Sequence, residues 1–486
     1  MTRLGLTIRC VTAQTGDVHR SEGQPALDSS SLQTPPSGRI STGEVAARLE
    51  RLPWTSYQRS LFLIIATAWL FDSIDLGALT HLLAPISAEF GLTKLQAGLV
   101  GSATFAGMFI GAVGAGVLAD RFGRLKVFKY SIIIWGSASV LLALSWDFAS
   151  LASFRLLLGI GMGAEFPVAA ALLSEFMPSS RRGRYVALME GTWPTGFILA
   201  GIGSFVLLST TLGWRGFFLA QALLAVVALI VRRNLPESPR WQVSRGRHAD
   251  AIATLEHVER KTEAAFGRPL LAPGPIDDRD TTGQQAGLRA LFTDGYRKRT
   301  LASWTMWFCL LGGYYGLTTW IGKLLSDAGY DMVESVGYIV LMALWGIPGF
   351  LAAAWLIERI GRKFCLVGFS LSSAAAAFVY GNASGVTELI ISGSVLQFIF
   401  FGMFSSIFAY TPELFPTRAR AIGMGSSTAA GRLGSIFGPV VVPLVIAAQG
   451  PSVVFAASAV LFVTGSVVAI LFLPETRQTV LEDISS

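Results

Sequence analysis

The charged stretch Gly116-Val117-Leu118-Ala119-Asp120-Arg121-Phe122-Gly123-Arg124 lies between two long apolar runs, and a looser copy, Ala354 through Glu358-Arg359-Ile360-Gly361-Arg362, follows 238 residues on (358 − 120 = 238). Three further landmarks keep that offset. Arg362 repeats Arg124, Glu413 to Pro416 repeats Glu175 to Pro178, and Pro474-Glu475-Thr476 repeats Pro236-Glu237-Ser238. Four charged landmarks in one register, each at the end of an apolar segment, require two tandem halves of the same topology. Duplication of that kind builds carriers whose halves rock about a central site.

Only a membrane accommodates the rest of the chain. Hydrophobic residues make up 52% of it and charged residues 14%, too little polar surface for a water-soluble fold of 486 residues. Apolar stretches of roughly 20 residues, the length that crosses a bilayer, number twelve, six per half. The predicted fold class is an all-α membrane protein with twelve transmembrane helices in two six-helix halves. Residues 1–53 read as a disordered tail, 54–233 as the first half, 234–298 as a connector with short amphipathic helices, 299–475 as the second half and 476–486 as a short tail.

The net charge of +7 is placed by topology rather than by a nucleic-acid partner. Arg121, Arg124, Lys126, Arg181, Arg182, Arg359, Arg362, Lys363, Arg418 and Arg420 all fall on one side of the predicted bundle. The positive-inside rule makes that side, with both termini and the connector, cytoplasmic. Three cysteines, Cys10, Cys309 and Cys365, are too few and too scattered for a disulfide framework or a thiolate metal site. No nucleophile-base or metal constellation appears, so an enzyme, a cofactor and a metal are not expected.

Ionisable residues inside predicted spans are functional candidates by default. Span 1 holds Asp72, Asp75 and His81, span 4 holds Arg155 and Glu165, and span 5 holds Glu190. At about 1.5 Å per residue, Asp75 lies ~21 Å into span 1 and Arg155 reaches a comparable depth from the opposite side. A pair across spans 1 and 4 is the expectation, and a titrating carboxylate whose Arg partner can move is a means of coupling to protons. Glu165 and Glu190 come to similar depths and form a second candidate site, or bridge to the loop arginines. In register, Asp75 and Arg155 map to Gly313 and Gly393, so the pair is no part of the duplicated scaffold.

Trp307, Leu311, Tyr314, Tyr315 and Thr318 share one face of span 7, Phe404 and Phe408 stripe span 10, and Trp193 adds an indole from span 5. Tyr hydroxyls this deep need partners, which favours a cavity over a lipid-facing surface. Gln397 offers an amide, and Arg155 or Arg432 a charge to balance an acid. Gly159, Gly161 and Gly163 follow no strand and belong to close helix packing rather than a phosphate loop.

Gly116-x-x-x-Asp120-Arg121-x-Gly123-Arg124, its echo after span 8 and the twelve-span plan resemble the major facilitator superfamily over residues 55–480. Arg155-x-x-x-Gly159-x-Gly161-x-Gly163 and the runs at Pro236 and Pro474 look like the branch of sugar porters, aromatic-acid/proton symporters and synaptic vesicle protein 2. Asp72-Ser73-Ile74-Asp75 resembles the paired aspartates of the aromatic-acid symporters, and Gly313 to Thr318 is similar to span 7 of synaptic vesicle protein 2 and of bacterial niacin transporters. The resemblance implies a monomeric, proton-coupled carrier in a bacterial inner membrane, moving nicotinate or a related aromatic acid or amide. Its alternatives are a sugar or benzoate-type porter and a transport-inactive binding or scaffold protein. It also implies that Asp120, Arg124, Glu175 and Arg182, with Glu358, Arg362, Glu413 and Arg420, form gating contacts that close the cytoplasmic side.

Overall fold

A computed structural model describes residues 39–177, 185, 188–189, 191–274, 291–292, 296–327, 329–383, 385–415, 419–449 and 452–476. Among these, every regular element is helical. Spans 1 to 6 are α2 (Ser56–Glu89), α3 (Lys94–Phe122), α4 (Arg124–Ala143), α5 (Phe148–Phe176), α6 (Trp193–Leu208) and α7 (Gly213–Arg232). Spans 7 to 12 are α10 (Arg297–Asp327), α11 with α12 (Met332–Ala343 and Gly346–Ile360), α13 (Arg362–Gly381), α14 (Val386–Tyr410), α15 (Arg420–Gln449) and α16 (Ser452–Phe472). Ten are long and apolar enough to cross a membrane outright. The other two have local reasons: α6 begins at Trp193 with Pro194 in its first turn, and α10 trades aliphatic residues for Trp, Tyr and Gly.

Helix starts follow from capping residues. Thr55 with Gln58, Thr93 with Gln96, and Asp147 with Ser150 each close a reciprocal box over otherwise unpaired backbone amides. Glycine sets how closely helices approach. A Cβ at Gly107, Gly111, Gly159 or Gly163 would lie 2.0–2.2 Å from a backbone oxygen of the facing helix, so spans 2 and 4 touch backbone to backbone. The second half reproduces the contact at the repeat offset: Gly111 meets the Ile160 oxygen, and Gly349 meets that of Phe398.

The charged landmarks also fold twice into one arrangement. Glu237 accepts from the Leu125 amide at 3.0 Å, and Glu475 from the Arg362 and Lys363 amides at 3.0 and 3.1 Å. Arg124 pairs with Glu175, and Arg362 with Glu413. Ser238 donates to Glu175, and Thr476 to Glu413. Gly123 and Gly361, at φ 105° and 100°, bring the chain so close to Glu237 and Glu475 that a side chain has no room.

One departure from the sequence reading lies on this side. Residues 42–50, expected as disordered tail, form α1 (Thr42–Glu50), capped by Ser41 and burying Val45 and Leu49. Residues 1–38 lie outside the described residues. The connector contributes α8 (Pro239–Ser244) and α9 (His248–Phe266). Arg48 and Arg51 of the tail fork onto Glu259 of α9 at 2.6 Å each, and Gln58 donates to Thr262 at 2.7 Å. The apolar stripe Ile40, Val45, Leu49 and Leu52 packs into the same cluster as Ala251, Leu255 and Val258.

Candidate functional site

Between the halves lies a cavity of about 100 Å³. Span 2 contributes Met108, Phe109 and Val113, span 4 Gly163, span 5 Trp193, span 7 Trp307, Leu311 and Tyr315, span 10 Phe404 and Phe408, and span 11 Thr428 and Arg432. Six candidates picked from sequence therefore meet at one wall. Trp307 is held by a 2.9 Å bond from its indole nitrogen to Thr411 and by edge contact with Phe408 at 5.1 Å. Tyr315 packs on Phe105 at 4.5 Å and shares the cavity lining with Arg432.

Tyr314, Thr318 and Gln397 are not in that lining. Tyr314 is buried edge-on between Phe400 and Phe404, at 5.1 and 4.6 Å, and Thr318 spends its hydroxyl on the Tyr314 carbonyl at 2.8 Å. Gln397 is buried with its amide oxygen unpartnered. The reason is helical phase: Tyr314 sits one residue, about 100°, from Tyr315, which turns it from the cavity into the second half's own core.

Asp75 and Arg155 meet at 3.4 Å, both fully buried. Gln221 of span 6 donates to the other Asp75 oxygen at 3.2 Å, and the guanidinium lies 4.9 Å over Phe218. Neither Asp75 nor Arg155 lines the cavity, whereas Arg432 does. In the repeat, the equivalent of Asp75 is Gly313, against which Phe462 packs, and the equivalent of Arg155 is Gly393, whose space is filled by Met342 and Tyr380.

A second buried ion pair joins Glu165 to Arg232 at the end of span 6, with Arg232 also donating to the Phe128 carbonyl at 3.1 Å. Glu165 therefore takes its partner from span 6, not from a loop. Glu190 and Arg182 lie outside the described residues, as does the side chain of Arg420. Sequence reasoning missed Arg232 and undervalued Gln221. Arg232 looked like one more basic residue at a cytoplasmic helix end, and Gln221 was a lone amide in an apolar helix.

The gating residues sit differently from expectation. Arg124 to Glu175 is a contact within the first half, and Arg362 to Glu413 one within the second. Asp120 is exposed and offers its backbone carbonyl to Trp241 at 2.7 Å and to Arg245 at 3.0 Å. Glu358 is exposed as well. The reason is a splayed bundle: span 2 leans on span 11 only at its Lys94 end. There a Cβ on Gly98 would lie 2.5 Å from the Pro439 oxygen, and Ser102 donates to the Ile436 carbonyl at 2.6 Å. Toward Asp120, Gly114 and Gly116 face open space and Val113 is 61% exposed. The cavity thus opens toward the end that carries the basic loops, and the opposite end is sealed.

No group of side chains suited to holding a metal occurs among the described residues. Residues 49–486 match the family described as Sugar (and other) transporter. The Niacin transporter NiaP of Acinetobacter baylyi is 33% identical over 442 residues, 91% of this chain and 99% of that protein. The Putative niacin/nicotinamide transporter NiaP of Bacillus subtilis is 32% identical, over 87% of this chain and 98% of that protein. Synaptic vesicle 2-related protein of Xenopus laevis is 27% identical, covering 82% of this chain and 75% of that protein. Among solved structures, the partially occluded inward open conformation of the xylose transporter XylE from E. coli aligns with a TM-score of 0.69 at 19% identity, over 88% of this chain and 100% of that one. XylE bound to 6-bromo-6-deoxy-D-glucose aligns with a TM-score of 0.66 at 18% identity, over 88% and 98%. Likeness at that identity speaks to the fold.

Proposed function

Because the chain belongs to the sugar (and other) transporter family of the major facilitator superfamily, and is a multi-pass membrane transporter rather than an enzyme, we propose that it carries nicotinate or a closely related small aromatic acid. The observation that carries this reading is the cavity wall: indoles, a phenol and phenylalanine rings surround one guanidinium, that of Arg432. Rings of that kind stack on a planar heteroaromatic, and a guanidinium recognises a carboxylate with charge-assisted hydrogen bonds. Two relatives above 30% identity are named for niacin transport, which supports the same substrate class. A sugar would need several amide or carboxylate partners for its hydroxyls. Gln221 is spent on Asp75 and Gln397 is not in the lining, so the wall favours the acid.

Transport proceeds by alternating access, with residues 54–233 and 299–475 as the rocking units. Proton movement through the carboxylates of span 1 drives it. With the basic loops and both termini placed in the cytoplasm of a bacterium by the positive-inside rule, the structure is inward-facing, and the gating pairs of the loop motif are intra-half braces that present the Asp120 end of span 2 for closure. The test is uptake into proteoliposomes of labelled nicotinate, nicotinamide, benzoate and xylose, with and without an imposed proton gradient. Nicotinate uptake that rises with an inward gradient and collapses with a protonophore supports the proposal. Xylose uptake with no aromatic-acid uptake would sink the substrate assignment.

A further inference from the structure

The seal opposite the cavity mouth is built twice, once at spans 2, 7 and 11 and once at the equivalent spans 8, 1 and 5. At the repeat offset Ser102 corresponds to Val340, Pro439 to Gly201, Trp320 to Leu82 and Thr319 to His81. The first junction is polar and satisfied: Ser102 donates to the Ile436 carbonyl at 2.6 Å, and the Trp320 indole to the Pro439 carbonyl at 3.2 Å. The second has Val340 and Leu82 at those two positions. There a Cβ on Gly201 would lie 2.3 Å from Val340 and 3.1 Å from the His81 Nε2, so span 5 is pressed between spans 8 and 1.

His81 is buried in that press, 2% exposed, with neither ring nitrogen hydrogen-bonded. Phe197 of span 5 packs on the ring at 5.5 Å, and Ser204, farther along span 5, is buried with its hydroxyl unpartnered too. From span 8 the neighbouring residue is Val340, and no charged or titratable side chain among the described residues acts on the imidazole. Along its own helix the nearest carboxylates are Asp75, about 9 Å deeper, and Glu89 at the outer end, which is held by Arg215 and Trp214. An imidazole buried without a protein partner leaves a donor and an acceptor unmet by the chain, a cost that water entering an opened seal removes. A protonated ring in the same place would bury an unpaired charge, which is costlier still.

We propose that His81 is a proton-operated latch on the outer seal: spans 1, 5 and 8 close only over the neutral ring, so a proton captured from the outer side holds the carrier outward-open until the ring gives it up. The latch rests on the alternating-access reading above and makes the order of events obligatory, since the gate cannot close while the outermost proton acceptor is loaded.

The test needs no substrate, so it is separate from the nicotinate assignment. Spin labels on cysteines replacing Ser209 and Glu334, at the outer ends of spans 5 and 8, report the opening by pulsed electron spin resonance in lipid nanodiscs, with the native cysteines removed. Between about pH 8 and about pH 5, the range a histidine covers, the long-distance population rises several-fold in the otherwise native protein. His81→Gln and His81→Phe each leave the distribution flat across that range. An acid response that survives in both His81 variants overturns the latch. So does its absence in the native protein.

Discussion

Arg432→Gln separates the acid from the amide. Arg432 is the one cation among the described residues that line the cavity, and it is half-buried. A hydrogen bond to a charged group contributes about 1.5–3 kcal/mol, and one between neutral groups about 0.5–1.5 kcal/mol. Taking about 2 kcal/mol for a carboxylate on Arg432 and about 0.7 kcal/mol for an amide oxygen there, glutamine weakens nicotinate roughly 30-fold and nicotinamide roughly 3-fold. The preference for the acid falls about tenfold. Titration calorimetry on the purified protein with both ligands reads this ratio, and disturbance of the site common to both cancels in it. Equal losses would refute the reasoning and make Arg432 a packing residue of the cavity wall. Unchanged nicotinate affinity would place the carboxylate elsewhere in the cavity.

Asp75→Asn leaves Arg155 buried without its counter-charge, so a stability loss of up to about 3 kcal/mol accompanies loss of proton-driven accumulation, while exchange of labelled for unlabelled substrate persists; wild-type accumulation in Asp75→Asn, Asp72→Asn and the double variant would remove span 1 from the coupling. Gly98→Trp places bulk where a Cβ already lies 2.5 Å from the Pro439 oxygen, so the outer seal stays open and uptake stops although ligand still binds from outside; undiminished uptake would show that this seal is dispensable. Burial alone would raise the Glu259 carboxyl, but the bonds and charges of Arg48 and Arg51 hold it below its usual range. A depressed carboxylate stabilises above its unfolded value of about 4.3 and loses that contribution as pH falls through the folded one. Hydrogen exchange in residues 42–50 therefore speeds up below about pH 4 in the native protein and at all pH in Glu259→Gln. Equal protection in the two proteins at neutral pH would show that the apolar stripe alone docks α1.

The repeat and the span count were legible because each leaves a mark that one residue carries alone. A loop arginine, a positive-φ glycine or a 20-residue apolar run means the same thing wherever its neighbours are. Trp193, Trp307, Tyr315, Phe404, Phe408 and Arg432 were picked as wall residues, and they line one cavity. Tyr314 was indistinguishable from Tyr315, because the cavity face of a helix buried on all sides is fixed by its neighbours and not by its own pattern. The helix at Thr42–Glu50 escaped notice for a related reason: its Ser41 cap and its apolar stripe are short, and what stabilises it is a surface on α9 some 200 residues away in sequence (259 − 48 = 211). The loop motif implied a shut cytoplasmic side, whereas the cavity opens toward the basic loops, because Arg124–Glu175 and Arg362–Glu413 each brace one half and do not cross between the halves.

Comparing the halves position by position separates the duplicated scaffold from what is particular to one half. Backbone contacts, loop braces and positive-φ glycines recur at 238 residues, as structure demands of both halves alike. The buried charges within the spans do not recur. Asp72, Asp75, His81, Arg155, Glu165 and Arg232 face Leu310, Gly313, Thr319, Gly393, Met403 and Ile470 in register, and Arg432 faces Pro194. Burying ionised groups in a bilayer is costly, so a scaffold that needed them for packing would have kept them in both copies. They are concentrated in the first half, while the second half supplies Trp307, Tyr315, Phe404, Phe408 and, among the described residues, the one guanidinium of the cavity. The proposed coupling then needs a residue at the boundary of the two halves, and Arg432 of span 11, which lines the cavity together with Met108 and Phe109 of span 2, is the one to test.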